Sequence, residues 1–90
     1  MFYIVSYDIP DDKRRIKVAK TLLDFGTRVQ YSVFECIMDA PLLEKMKLKL
    51  NRIISEEDSV RIYALCAKCE SVVKVFGRGE RTKGKDVYIL

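Results

Sequence analysis

Phe2 to Tyr7 is an unbroken run of mainly apolar, aromatic and β-branched residues that ends in one carboxylate, Asp8, and is closed by Ile9-Pro10. That composition reads as a strand, and Pro10 blocks further ladder pairing. Side chains alternate along a strand, so Phe2, Ile4, Ser6 and Asp8 project to one side and Tyr3, Val5 and Tyr7 to the other. Apolar residues of both parities argue against a face left to water and predict a central strand. A chain of 90 residues has room for one core and one domain, and buries only about 60 to 65% of the surface its unfolded form exposes.

The rest of the chain follows the same alternation of periods. From Lys13 to Phe25, Ile16, Val18, Ala19, Leu22 and Leu23 recur mostly at three and four, predicting a helix with one buried face, capped by Asp11 or Asp12 and ended by Gly26. Thr27 to Met38 is extended, with Val29, Tyr31, Val33 and Ile37 on one side and Arg28, Gln30, Ser32 and Phe34 on the other. Twelve residues is long for one strand, so a bend or bulge near Tyr31 and Ser32 is expected to divide it. Asp39 caps a second helix, Pro41 fits its first turn, and Leu42, Leu43, Met46, Leu50, Ile53 and Ile54 form its apolar face. Glu56, Glu57 and Asp58 mark a turn, and Val60 to Cys66 alternates as a strand. Ser71 to Phe76 holds a short apolar run that reads as another strand. Gly77 to Asp86, with three of the four glycines, reads as a flexible loop, and Val87 to Leu90 as a last strand.

Strand, helix, strand pair, helix, strand is the split βαβ plan of an α+β, ferredoxin-like βαββαβ sandwich. Residues 1–76 form that domain, and residues 77–90 add the loop and an extra C-terminal strand. Helices cover one face of such a sheet, and the other is left for solvent, ligand or a partner. With 49% apolar residues in so small a chain, dimerisation is the simplest way to hide the surplus.

Seventeen Lys and Arg oppose thirteen Asp and Glu, giving +4 at pH 7, and the cations cluster. Lys13, Arg14, Arg15, Lys17 and Lys20 share one helix without an intervening acid, and Lys45, Lys47, Lys49 and Arg52 do so on the second. Single-sign faces favour phosphate-backbone contacts, although a charged helix face is also simply a solvated one. No stretch approaches the ~18 apolar residues of a membrane span, and no charged, cleavable leader precedes the first strand, so a cytoplasmic protein is expected. Cys36, Cys66 and Cys69 are an odd set. Cys66 and Cys69 have the spacing of half a zinc site, which only a second chain would complete, and inert thiols are the default.

The chain has no histidine, which removes imidazole as base, acid or metal ligand. No glycine-rich phosphate loop of the GxxxxGK[ST] kind is present, nor is the glycine-aromatic consensus of an RNA-recognition motif in Arg28 to Glu35. Tyr3, Tyr7 and Tyr31 therefore read as core rather than as a stacking platform. Phosphodiester hydrolysis would then need magnesium or manganese held by carboxylate. Asp8 is the natural ligand, paired with its copy across a two-fold axis; alternatively it caps the first helix or ends a strand in solvent.

Two motifs carry a resemblance over nearly the whole chain: Tyr7-Asp8-Ile9 followed by Pro10-Asp11-Asp12-Lys13-Arg14-Arg15, and Gly26 to Glu35 with Arg28, Tyr31 and Phe34. The chain resembles the small CRISPR-associated adaptation proteins of the Cas-two endoribonuclease family. The resemblance implies a ferredoxin-like homodimer with magnesium between two Asp8 side chains, and an active region of Tyr7, Asp8, Arg15, Arg28 and Phe34. Lys17 stands where some members have arginine, which keeps the charge and loses the bidentate fork. Val87 to Leu90 matches the segment that adds to the partner's sheet. Members are metal-dependent nucleases on single-stranded RNA or double-stranded DNA, and also bridge dimers of the CRISPR-associated integrase (Cas-one) during spacer acquisition.

The expectation is thus a homodimer that binds duplex DNA through Lys13, Arg14, Arg15, Lys17 and Lys20 and docks the integrase. It would cut phosphodiesters with magnesium, or manganese, at Asp8. A free-standing toxin-type ribonuclease of the same fold and a ferredoxin-like ligand-sensing module are the alternatives.

Overall fold

The computed structural model of the chain describes residues 1–66. Six elements follow in order: β1 (Phe2–Asp8), α1 (Asp12–Leu23), β2 (Thr27–Gln30), β3 (Val33–Ile37), α2 (Ala40–Asn51) and β4 (Ser59–Leu65). The strands form one antiparallel sheet in the order β2-β3-β1-β4. This is the ferredoxin-like arrangement, with β1 central as its two-sided apolar character predicts. The expected Ser71–Phe76 strand, the glycine-rich loop, the Val87–Leu90 strand and Cys69 lie outside the described residues.

Local chemistry sets the boundaries. Asp11 has extended backbone and its carboxylate accepts from the Arg14 amide at 2.9 Å, so α1 begins at Asp12. Asp39 caps α2 in the same way through Leu42 at 2.9 Å, with Pro41 in the first turn. Gly26, after α1, lies directly on β3. A Cβ there would stand 2.3 Å from the Glu35 carbonyl oxygen and 2.5 Å from the Cys36 sulfur, so glycine is required by close approach. The extended stretch is divided where its length predicts, by a turn at Tyr31 and Ser32 and a bulge between Arg28 and Gln30.

The core lies between the helices and one face of the sheet. Tyr3, Val5 and Tyr7 of β1 and Phe34 and Cys36 of β3 meet Val18, Ala19 and Leu22 of α1 and Met46 and Leu50 of α2. Burial pushes the Cys36 thiol up to about 11, helped by the nearby Glu35 charge, which makes it an unreactive packing residue.

Four sequence expectations are corrected. Ile16 and Leu23 are 53% and 56% exposed, because at about 100° per residue they lie well round the helix from Val18 and Leu22. Leu42 is exposed on the outer side of α2. Ile53 and Ile54 belong to the turn after α2, donating their amides to the Leu50 carbonyl, and pack against the core from there. Tyr31, expected in the core, is 78% exposed at the hairpin tip.

Candidate active site

The alternation of β1 separates its last two residues. Tyr7 faces the helices and is buried, whereas Asp8 is exposed on the helix-free face. Asp8 pairs with Ser59 of β4, Ser6 with Arg61, and Ile4 with Tyr63. All of these positions except Ile4, joined by Tyr7 and by Ser32 from the hairpin turn, line a concavity of about 290 Å³. Among the described residues the Asp8 carboxylate forms no ion pair. It does not cap α1, a task performed by Asp11.

Tyr7, Arg28 and Phe34 meet on the other side of the sheet. The backbone pairing of Arg28 with Phe34 places both side chains on one face, and the guanidinium carbon stands 5.8 Å from the Phe34 ring centre and 5.5 Å from that of Tyr31. Arg28 donates Nε and Nη2 to the Tyr31 carbonyl at 3.1 and 2.7 Å. The Tyr7 hydroxyl donates to the same oxygen at 3.3 Å, and the Tyr7 ring is tilted against Phe34 at 6.3 Å. One carbonyl therefore gathers three donor contacts and fixes the turn. The Tyr7 amide bonds the Ser32 carbonyl at 3.1 Å, so this cluster also holds Ser32 at the rim of the Asp8 concavity.

Arg15 is tied to the start of its own helix. Nη1 donates to the Ile9 carbonyl at 2.9 Å, and Nη2 is bonded to Asp12. With Ile16, Lys20, Leu23, Arg28 and Tyr31 it lines a second groove of about 390 Å³ between α1 and the edge strand β2.

The five α1 cations, read from sequence as a uniform face, divide in two. Arg14 is engaged within the chain, with Nε 2.8 Å from Asp58 and Nη2 2.6 Å from Glu57. The Asp58 side chain has no exposed surface, also accepts from the Ser55 amide at 2.9 Å, and is held below the usual carboxylate range chiefly by the Arg14 hydrogen bond. The acids that occupy Arg14 come from a turn more than 40 residues away, at separations of 43 and 44, which helix periodicity does not show. Lys13, Lys17 and Lys20 are exposed and form no ion pair among the described residues.

No three potential metal ligands come together among the described residues, and Cys66 is exposed at the end of β4. No helix among them is long and apolar enough to cross a membrane. Sequence reasoning did not single out Ser6, Ser32, Ser59 or Arg61, which lie beside Asp8. Their alignment requires the β1–β4 register and the hairpin turn.

The sequence and the fold of the chain are similar to those of known proteins. The family model for CRISPR associated protein Cas2 matches residues 1–73. The chain is 45% identical over 93 aligned positions to the CRISPR-associated endoribonuclease Cas2 1 of Chloroflexus aurantiacus, covering 100% of both. Among solved structures it is similar to Streptococcus pyogenes Cas2 at pH 6.5, with TM-score 0.75, 37% identity and coverage of 86% of this chain and 100% of that one. A chain of a partial Cas6-RT-Cas1–Cas2 complex is also similar, with TM-score 0.63, 30% identity and coverage of 80% and 86%. With sequence and fold agreeing over most of its length, the chain belongs to the CRISPR-associated Cas2 family.

Proposed function

We propose that this Cas2 family protein acts in CRISPR adaptation as a homodimer that binds duplex DNA and partners a Cas1 integrase. We further propose that it hydrolyses phosphodiesters with magnesium, or manganese, at Asp8. The observation that carries the catalytic part is a carboxylate at the end of the central strand, in an open concavity, with no ion-pair partner among the described residues.

Magnesium is commonly held by one or two carboxylates, with waters and substrate phosphates completing its shell, and Asp8 among serine positions fits that requirement. A second copy about a two-fold axis on this face would contribute a second Asp8. Exposed Tyr63 and Ile37, at 49% and 38%, give such a contact apolar area. When bound, the metal supplies a water of lowered pKa and neutralises charge on the phosphate. The chain's own residues would do the rest: Asp8 holds the cation, and the hydroxyls of Ser6, Ser32 and Ser59 orient water and phosphate oxygens. In a chain without histidine, no imidazole shares this work.

Lys13, Lys17 and Lys20 recur at intervals of four and three along α1 and form an exposed stripe suited to a phosphate backbone, giving salt-dependent contact with little regard for base sequence. The names of the relatives support the nuclease reading, and the partnership in the similar complex supports the Cas1 one. The test is Asp8→Ala in the full chain. Metal-dependent cleavage of single-stranded RNA and duplex DNA should fall roughly 100-fold or more, with duplex binding and Cas1-dependent spacer integration retained. Cleavage equal to that of the parent would refute Asp8 as the metal site, and loss of integration in a folded dimer would refute the division of roles.

A further inference from the structure

We infer that Arg61 is the phosphate-anchoring residue of the Asp8 site, a role that rests on the nuclease reading above. Three observations converge on it. Arg61 sits opposite Ser6 in the β1–β4 ladder, one step of the same face from the Asp8–Ser59 pair, so its long side chain lies diagonally across from the carboxylate. Both residues line the one concavity. Neither Asp8 nor Arg61 forms an ion pair among the described residues, although they have opposite charge and share a wall.

The other described arginines lack one or both of these properties. Arg14 is bound by Asp58 and Glu57, Arg15 by Asp12 and the Ile9 carbonyl, and Arg28 by the Tyr31 carbonyl. Arg52 caps the C-terminus of α2, outside the concavity. Arg61 alone among them brings an uncommitted guanidinium to the open-face site.

The charge balance of the site calls for such a group. A phosphodiester approaching Asp8 meets a like charge, and the approach becomes favourable only when cations offset both. A guanidinium matches two non-bridging phosphate oxygens with parallel N–H donors, which lysine cannot reproduce. Arg61 therefore holds the substrate phosphate, while Asp8 is left for the cation. Binding of the phosphate forms and breaks no covalent bond at Arg61.

The experiment compares the full-length parent protein with Arg61→Gln, Arg61→Lys and Asp8→Ala. Four properties are measured: sedimentation, binding of Mn2+ alone, affinity for a phosphorothioate single-stranded RNA and a phosphorothioate duplex DNA, and steady-state cleavage of the normal oligonucleotides. Arg61→Gln should weaken binding and raise KM by roughly 10- to 100-fold, with sedimentation and Mn2+ affinity unchanged. Arg61→Lys should recover part of the loss. Unchanged affinity and KM in Arg61→Gln, in a protein whose Asp8→Ala form is inactive, would overturn the role of Arg61 alone. Dissociation of the Arg61→Gln dimer would overturn it in favour of an ion pair between subunits. Cleavage unaffected by Asp8→Ala would refute the Asp8 reading, while the phosphorothioate affinities still decide the phosphate contact. A parent protein that binds neither oligonucleotide would overturn both.

Discussion

The two sides of the sheet near the end of β1 treat polar groups in opposite ways. On the helix side, the Tyr7 hydroxyl and the Arg28 guanidinium converge on one carbonyl of Tyr31, and the guanidinium lies over two rings. On the open side, Asp8 and Arg61 share a concavity with three serines and form no ion pair among the described residues. Groups that satisfy one another define a shape, whereas charged groups left without each other are available to a ligand. Adjacent residues in one motif therefore differ in setting, with the Tyr7 ring packed in the core and the Asp8 carboxylate open to solvent.

This contrast can be broken by measuring stability and chemistry separately. The largest stability effect is expected from Phe34→Ala, which empties a fully buried position beneath Arg28 and should cost about 3–5 kcal/mol in denaturant unfolding. A cost below about 1 kcal/mol would remove the helix-side cluster from the set of structural elements.

Acid should come next. The Arg14 hydrogen bond depresses the Asp58 pKa, so that group's contribution is present above the unfolded aspartate value and is lost as pH falls through the lower folded value. Thermal unfolding midpoints should fall on acidification below about pH 4, and Asp58→Asn should reduce that dependence while lowering the midpoint at neutral pH. An unchanged acid limb in the variant would show that the Arg14 bridge contributes nothing to it.

Tyr7→Phe removes one of the donors to Tyr31 and leaves the ring, so about 0.5–1.5 kcal/mol is expected. The sharper readout is cleavage, which should drop by less than in Asp8→Ala because only the turn carrying Ser32 is loosened. The smallest stability effect belongs to Asp8→Ala itself, within about 0.5 kcal/mol, despite the largest loss of chemistry. Strong destabilisation by Asp8→Ala would erase the difference between the two sides.

The fold was largely legible because its signals are local. Period-two and period-three-to-four patterns, the Asp11 and Asp39 caps and the excessive length of Thr27–Met38 each specify an element or a boundary without reference to the rest of the chain. The exposed positions of Ile16 and Leu23 were missed because an apolar residue at helical spacing does not reveal how wide the packed stripe is. Helix periodicity groups Arg14 with the other α1 cations, because the acids that engage it arrive from the turn before β4. Strand parity does place Tyr7 and Asp8 on opposite faces, but resemblance alone groups them in one region. Arg61 looked like the polar alternate of Val60 and Ile62, since nothing in its neighbourhood announces that Ser6 lies across from it.

The bulge in β2 has a consequence for how this hairpin tolerates change in length. Arg28 stands opposite Phe34 and Gln30 opposite Val33, so Val29 is a supernumerary step that shifts the phase of the tip against its stem. That offset leaves a two-residue turn while keeping Arg28 above Phe34, and it lets the Tyr31 side chain swing outward as its carbonyl turns back. Deleting Val29 would bring the strands into continuous phase, with Arg28 still opposite Phe34 and Gln30 still opposite Val33, and would remove only the local bend and extra twist that the bulge adds. The hairpin can therefore lose that one residue without turning its surfaces over, whereas loss of a paired residue such as Arg28 would invert them.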